Sequence, residues 1–591
     1  MPFRSRLYEA GHVRDGRGAR TKNSRGGKSV ACAVLSQDRL ASRQNPLWTA
    51  DATTLVAQNP RGKIGNVTIT KEIFAGLLAG FVAAVGMTTA MLLLATLGVA
   101  TPLVIIGDRL SVFIPPGPFL SLMGKLGGYN HLKQLGVGST IAGQVVVGAI
   151  AGAIFGWFVR RNPTRISTIW TMLIFVLLPV LVFAIALWPV LGTSYIGLPM
   201  QVARLVTLIC FALCVLLFER TLVIGFAFLM AGTARRAVRT SQGDVATNEF
   251  TPAMGRRAFV LGTIGLAAVG GGVALARKLY RAATFSYDGT QYKGSIVQPI
   301  TPNELFYCVT KNVIDPKVNI DVWHLEIGGL VQNAATWRFQ DLLGFKPTTQ
   351  ETTLMCISNG LDAGLISNAV WKGLPLRDLL DQAGVLAGAA RVRLQGVDNY
   401  TDTIPLEKAM EATTLLAYEM NSEPLSDRHG YPLRVIVPGY FGEKNVKWVT
   451  RIEVTDANAK GFYETQGWGP DFVVPTRSRI DVPDDWVSVS LGKLTAPIEV
   501  KGIAFGGDRG ISRVELSFDD GQSWSDAEIY YSGGNLAWSL WKAHWTPAAV
   551  GDYPLLVRAT DGEGDVQEWE EDRGPFSGVS GLHRINVRVT A

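Results

Sequence analysis

The stretch TLMCISNG, Thr353 to Gly360, sets a cysteine between an apolar run and a polar turn that ends in glycine. A structural cysteine sits inside a core as a small hydrophobe, whereas one delivered to a strand end by a turn is placed to bond to something. The chain holds five cysteines, Cys32, Cys210, Cys214, Cys308 and Cys356, among 591 residues. No CxxC, CxxCH or paired zinc spacing occurs, which disfavours a zinc site, a c-type haem and a disulfide scaffold.

Outward from that turn, the composition divides the chain. It is too long for one hydrophobic core, and the apolar excess behind its 48% apolar content lies before about Gln291. Four runs, near Ile73 to Leu97, Ile141 to Val159, Ile169 to Leu191 and Leu205 to Met230, reach the roughly 20 residues that a transmembrane helix needs. Glu219 and Arg220 interrupt the fourth. A charged pair deep in lipid is costly, so either this span ends near Phe218 or the pair faces other helices. Basic residues gather in RRNPTRIS, Arg160 to Ser167, and at Arg235, Arg236 and Arg239, while the alternate connections lack such clusters. That asymmetry predicts a cytoplasmic N-terminus. A fifth run, GRRAFVLGTIGLAAVGGGVAL from Gly255 to Leu275, opens on Arg256 and Arg257. It reads equally as an internal twin-arginine export signal or as a helix with two cytoplasmic arginines, and both readings put the rest of the chain outside the cytoplasm.

The net charge of +7 falls in the N-terminal tail and between the apolar runs. No basic and aromatic stripe shares one element, so no nucleic-acid partner is expected. The spans contain no histidine, which argues against a membrane b-type haem. Cys210 and Cys214, one helical turn apart, read as packing residues. RGGKS, Arg25 to Ser29, has Lys22 where a phosphate loop requires its first glycine.

After Thr301, short β-rich runs (WHLEIGGLV, RVRLQGV, LRVIVPG, VKWVTRIEV) mix with pieces of helical pattern (PLRDLLDQAGV, LEKAMEATTLLAYEM), an α+β mixture. PTRSRIDVPDDW reads as a linker. From Val487 onward IEVKGIAF, SRVELSFD, YPLLVRATD and HRINVRV recur between Gly/Asp turns, as in an immunoglobulin-type β-sandwich. DGEGDVQ reads as a hairpin turn more readily than as a calcium loop. The chain is therefore expected to be multi-domain. Residues 1–70 would form a disordered basic cytoplasmic tail, 71–235 an N-terminal α-helical transmembrane region of four spans, and 236–280 a linker with the fifth span. An α+β domain would cover 281–483 and an immunoglobulin-like domain 487–591. The expected location is a bacterial cell membrane, multi-pass, with the catalytic domain outside the cytoplasm.

Three blocks carry a resemblance. TLMCISNGLDAGLISNAVWKGLPLRDLLDQAGV resembles the cysteine-bearing segment of the sulfite oxidase family of molybdopterin enzymes, in its bacterial membrane-attached branch. The block from Ile404 to Val454 is similar to the same family through HGYPLR and VKW, and GIAFGGDRGISRVELSFDDGQSW resembles its C-terminal dimerisation domain. The likeness covers residues 301 to 591. It implies a molybdenum-molybdopterin cofactor, with Cys356 as the protein thiolate on the metal; a soft sulfur donor suits that metal. The bland alternatives are a buried free thiol or a disulfide with Cys308. The resemblance further implies pterin contacts from His429, Arg434, Asn445, Val446, Lys447 and Asp398, and from Asn303, Phe306, Tyr307 and Asn312. Without the motif, Arg434 and Lys447 would read as ordinary ion-pair residues.

Departures touch the substrate. SNGLDAG replaces the arginine-bearing stretch that follows the cysteine in sulfite-oxidising members, Lys311 stands where an arginine precedes Asn312, and Trp468 takes the place of a tyrosine near the metal. Lys311 and Trp468 are the remaining catalytic candidates. The expected activity is two-electron redox or oxygen-atom transfer on a small-molecule substrate, specifically as a reductase of sulfoxides such as methionine sulfoxide or as a sulfite dehydrogenase. With no second redox motif in the chain, a separate quinone or cytochrome would exchange electrons. A homodimer is possible under this reading. A non-catalytic cell-surface binding module with a decayed cofactor site is the contrasting reading.

Overall fold

Alanine and glycine recur on one face of the first apolar run, and that face decides how the helices pack. The computed structural model describes residues 70–241 and 292–591, apart from short stretches within 112–128 and at 162–167, 313–314, 470–471 and 570–576, together with parts of 267–278. The basic tail before Thr70, Arg256 and Arg257, and most of the fifth span lie outside the described residues. Helix α1 (Lys71–Thr96) buries Ala75, Gly76, Ala79, Gly80, Ala83 and Ala84. It faces Gly148, Gly152 and Gly156 of α3 (Tyr129–Arg161), with the short α2 (Pro102–Ser111) between them in sequence. A Cβ on Gly152 would stand 2.2 Å from the carbonyl oxygen of Gly76 and 2.6 Å from Gly80 Cα. Only glycine admits so close a backbone approach, as at helix contacts in lipid, where small residues replace hydrophobic driving force.

Helix α4 (Thr168–Ala186) contains one π-turn at Leu173–Leu177. It falls beside Pro179, which cannot donate to the helical ladder. The long α5 (Met200–Ser241) runs straight through Glu219 and Arg220. Glu219 is fully buried and accepts bonds from Thr171 of α4 (2.6 Å) and from Arg220. Glu219 therefore turns to a neighbouring helix, Arg220 pairs with it from a partly exposed position, and the helix does not end there. Four helices, Lys71–Thr96, Gln134–Arg161, Thr168–Ala186 and Met200–Ala231, are long and apolar enough to cross a membrane. Ile154, Ile169 and Ile185 stand exposed on their outer faces, as side chains that meet lipid do.

The remainder is built from sheets. One has the order β2-β1-β10-β5-β6, using β1 (His324–Gly329), β2 (Ala335–Arg338), β5 (Arg391–Gly396), β6 (Thr401–Pro405) and β10 (Val449–Thr455). A second has the order β3-β4-β7-β8, with β9 also on β7; its strands are β3 (Thr348–Met355), β4 (Ile366–Pro375), β7 (Leu415–Met420), β8 (Glu423–Pro424) and β9 (Arg434–Ile436). Strand β7 is a correction. The helical pattern of LEKAMEATTLLAYEM yields only a short helix at Leu406–Ala409, and LLAYEM is a strand paired with both β4 and β9. Nearly every residue of that run is buried, and an apolar run buried on both faces has no period to betray it.

Two further sheets follow, built from β11 (Arg477–Val482), β12 (Val487–Ser490), β13 (Ile498–Phe505), β14 (Ile511–Ser517), β15 (Ser525–Asp526), β16 (Glu528–Ser532), β17 (Ser539–Trp545), β18 (Gly551–Asp561) and β19 (His583–Thr590). Their orders are β11-β13-β17-β16 and β12-β19-β18-β14-β15. Val500 and Ala504 of β13 pack against Leu516 of β14 and Val557 of β18 in a shared core between them. The linker reading of PTRSRIDVPDDW is also corrected, because Arg477–Val482 forms β11, paired with β13 and buried along its length.

The helical part meets this half through the connection after α4. Ser194 N–H donates to Val397 O (2.8 Å), and Asn319 N–H donates to Ile196 O (2.9 Å). Gly197 lies against Val318 and Trp323.

Candidate functional site

Cys356 owes its place to the hairpin it terminates. Strands β3 and β4 pair antiparallel up to Met355 opposite Ile366, and the connecting loop closes on itself. Cys356 N–H donates to Leu365 O (3.0 Å), Asn359 N–H to Cys356 O (3.0 Å), and Leu365 N–H to Asn359 Oδ1 (2.8 Å). Arg477 of β11 adds an outer clamp, its guanidinium donating to the carbonyls of Asn359 (2.8 Å) and Gly360 (2.9 Å). Sequence reading missed this arginine; the strand that presents it passed for a linker. The Cys356 thiol lies 3.1 Å from Ser358 Oγ. Burial pushes it up to about 11, with the bonds to Ser358 acting the other way. Cys308 and Cys356 are both free, so the disulfide alternative falls.

The wall beside Cys356 is aromatic. Phe306 stacks on Tyr307 (5.6 Å) and meets Trp371 edge-on (5.6 Å). Tyr307 is held well above the ordinary phenol range by burial and then by Cys356, while Arg434 acts in the opposite sense.

A cationic group lies beyond that wall. His429 sits edge-on to Phe306 (5.6 Å), with Nε2 2.9 Å from Asn303 O. The Asn303 side chain is engaged by Glu423 (2.9 Å) and Asn421 (2.8 Å). Arg434 lies over the Trp371 ring (4.9 Å) and donates to the carbonyls of His429 (3.1 Å) and Asn445 (3.3 Å). Lys447 Nζ lies 3.5 Å from Cys308 Sγ and 3.1 Å from Arg428 O. Burial first, then Arg434, Lys447 and Arg428, drive the His429 imidazole down to about 3, so it is neutral. Burial also lowers the Arg434 guanidinium to about 10.

Other expected residues fall nearby or apart. Asn312 Nδ2 donates to Asp398 Oδ2 (2.8 Å), and Lys311 Nζ to Asp398 O (2.9 Å), so these three form a set of their own. Val446 is buried, and its carbonyl accepts from Val435 N–H (2.9 Å). The Asn445 amide is taken up by Gly442 O (3.2 Å) within its own turn. Trp468 packs on Tyr463 (5.2 Å) and on the cluster containing Phe441 and Met355. The reading also passed over Glu443, whose two carboxylate oxygens are buried without a partner.

Comparison with known proteins bears on this geometry. The family described as oxidoreductase molybdopterin binding domain matches residues 312–463, and the Mo-co oxidoreductase dimerisation domain matches residues 471–585. Mitochondrial sulfite oxidase of Drosophila melanogaster is 34% identical over 341 residues, covering 49% of this chain and 59% of that protein. Sulfite oxidase of Arabidopsis thaliana is 30% identical over 353 residues, covering 49% of this chain and 88% of that protein. The chain belongs to the sulfite oxidase family. Among solved structures, the sulfane dehydrogenase SoxCD of Paracoccus pantotrophus is 26% identical, covering 50% of this chain and 82% of that one at a TM-score of 0.45. The chain spans about three fifths of the Drosophila and rat sulfite oxidases.

The cofactor of the sulfite oxidase family is molybdenum-molybdopterin, and the donor set here fits it. Among the described residues neither Arg434 nor Lys447 has a carboxylate partner; each turns to neutral carbonyls or, for Lys447, a thiol. Arg434 Nε is buried with no acceptor among the described residues. Desolvated cations without a counter-charge are costly, and an anionic tail is the chemistry that would relieve them. The soft sulfur of Cys356 is matched to the metal end.

Proposed function

We propose that the protein is a membrane-anchored, molybdopterin-dependent oxidoreductase that performs two-electron redox or oxygen-atom transfer on a small molecule outside the cytoplasm. The observation that carries this reading is the convergence of a strand-end cysteine, Cys356, with two cations that lack carboxylate partners, Arg434 and Lys447. When bound, the cofactor supplies two-electron redox and oxygen exchange. Cys356 would ligate the metal and give up its proton on doing so. Arg434, Lys447 and His429 would hold the anionic tail, and Asn303, Phe306, Tyr307, Asn312, Asp398, Asn445 and Val446 would border the pterin. Lys311 and Trp468 remain candidates near the reacting centre.

The four apolar helices with exposed isoleucines support anchoring. The basic clusters favour an outer position for the connection between α4 and α5, and that connection touches Val397, just after β5, which supports an outward catalytic half. The paired Arg256 and Arg257 are read as a twin-arginine signal. The division is 1–70 tail, 71–235 spans, 236–280 linker with the fifth span, 281–483 cofactor domain and 487–591 sandwich. Two face-to-face sheets favour an immunoglobulin-type sandwich, and the dimerisation-domain match favours a homodimer. A quinone or cytochrome would exchange the electrons.

Two substrate classes divide this reading. Sulfite oxidation takes up water and releases sulfate, two protons and two electrons; sulfoxide reduction consumes two electrons and two protons and leaves a sulfide and water. The buried carboxyl of Glu443, carried by the turn that packs against Tyr307 and Met355, favours the second. Full-length protein purified in detergent should carry about one molybdenum and one pterin per chain. It should also turn over with reduced dye and a sulfoxide, or with an oxidised acceptor and sulfite. Absence of both molybdenum and turnover after expression with molybdate would refute the reading.

A further inference from the structure

Glu443 lies in PGYFGEKN, in the turn Gly442–Lys444. A Cβ on Gly442 would stand 2.4 Å from Tyr307 Oη and 3.3 Å from Met355 O, so the turn is pressed against the wall of the site. Lys444 turns away, into a fully buried ion pair with Asp402 at 2.7 Å. The Glu443 carbonyl accepts from Tyr400 Oη (3.1 Å). That leaves the carboxyl. The residue is half-buried, yet both oxygens are enclosed, and among the described residues neither has a hydrogen-bond partner.

Its charge reaches Cys356 and Tyr307, helping each to keep its proton. A buried carboxyl with no side-chain donor is costly when ionised. Burial, with Asp402 adding to it and the residue's own backbone N–H and then Lys444 opposing, accordingly pushes Glu443 up to about 8. The cations that suit an anionic tail gather around Trp371 and Cys308, and a carboxyl would repel a phosphate. A group that can donate one strong hydrogen bond, enclosed in the turn packed against Tyr307 and Met355, suits a polar but uncharged oxygen.

We propose that Glu443 is a substrate-contacting group of this site, donating a hydrogen bond to the oxygen of an uncharged S-oxide when protonated and repelling oxyanions when ionised. This rests on the reading of Cys356 as the metal ligand and deepens it by naming the substrate class.

The test compares wild type, Glu443→Gln and Glu443→Ala as full-length, molybdenum-loaded protein in detergent. One arm measures KM for dimethyl sulfoxide with reduced dye. The other titrates sulfate at about pH 9, where the acid is ionised, and follows the visible absorption of the bound metal, which needs no turnover. Glu443→Gln keeps a donor, so KM should stay within about twofold, while Glu443→Ala should raise it roughly tenfold. Both variants should bind sulfate roughly tenfold more tightly. Equal KM and equal sulfate affinity across all three proteins would overturn the assignment even if wild type reduces the sulfoxide. If wild type reduces no S-oxide, the substrate class fails, and the sulfate arm alone decides whether Glu443 faces the metal-side space: tightening in Glu443→Gln supports it, no change overturns it.

Discussion

Lowering the pH from 7 to 5 should destabilise the cofactor-free protein through His429, by an amount the structure fixes. The imidazole is buried, meets Asn303 O through Nε2, and shares its surroundings with Arg434 and Lys447, so it stays neutral in the fold down to about 3. In the unfolded chain it takes up a proton near the ordinary value of about 6.5. The unfolded state therefore binds more protons between these values. Stability is fully present above about 6.5 and is lost as pH falls toward 3. At pH 5 the loss covers about 1.5 pH units at about 1.4 kcal/mol each, or about 2 kcal/mol. For a region of this size that is roughly 4–8 °C in melting midpoint. His429→Gln keeps a donor toward Asn303 and cannot titrate. Midpoints of detergent-solubilised wild type and variant at pH 7 and pH 5 should differ in their acid drop by this amount, since the carboxylates common to both cancel. Loaded protein should show a smaller difference, because an anionic tail beside His429 would ease its protonation. An equal acid drop in cofactor-free wild type and His429→Gln would refute the reasoning.

Cys356→Ser should retain the fold, with a midpoint within about 1 °C because the loop is held by backbone and Arg477 bonds, yet metal analysis should show loss of molybdenum. Arg434→Met removes a desolvated cation that lacks a carboxylate partner; it should leave the cofactor-free protein equally or more stable, by about 0–2 kcal/mol in denaturant titration, while pterin content falls. Gly152→Leu cannot fit against the Gly76 carbonyl; the contact between α1 and α3 should open, costing more than about 3 kcal/mol, read as loss of detergent-stable, monodisperse protein.

Much of this architecture could be read from residue order, and the parts that could not share a cause. The period-2 run HRINVRV announces a strand because one face is buried and the other wet, whereas IEVKGIAF alternates only at its start and is buried on both faces from Gly502 to Phe505. The motif spacing of Cys356, HGYPLR and VKW brought the cationic group into view. The strand RSRIDV did not announce itself, because its charged positions are buried. Arg477 is satisfied by Asn359 and Gly360 carbonyls more than a hundred residues away, and Arg479 by Asp481, Ala363 and Tyr292. Read locally, such a segment has the composition of a solvated connection.

Glu443 was hidden by the same physics. In GEKN, acid and base side by side have the look of a surface turn, and the pair would ordinarily be expected to neutralise itself in water. Folding separates them instead: Lys444 finds Asp402, 42 residues upstream, and the Glu443 carboxyl keeps no hydrogen-bond partner among the described residues. Whether a charge is neutralised is settled by what packs against it, and the desolvation cost of leaving one alone is high enough that folds rarely keep such a group without a use. The uncompensated cations around His429 and the uncompensated acid beside Cys356 are two halves of one inference. One half asks for an anion that the chain does not supply and, under the assignment proposed for Glu443, the other asks for a neutral acceptor, so the two call for different ligands, a charged cofactor and an uncharged substrate.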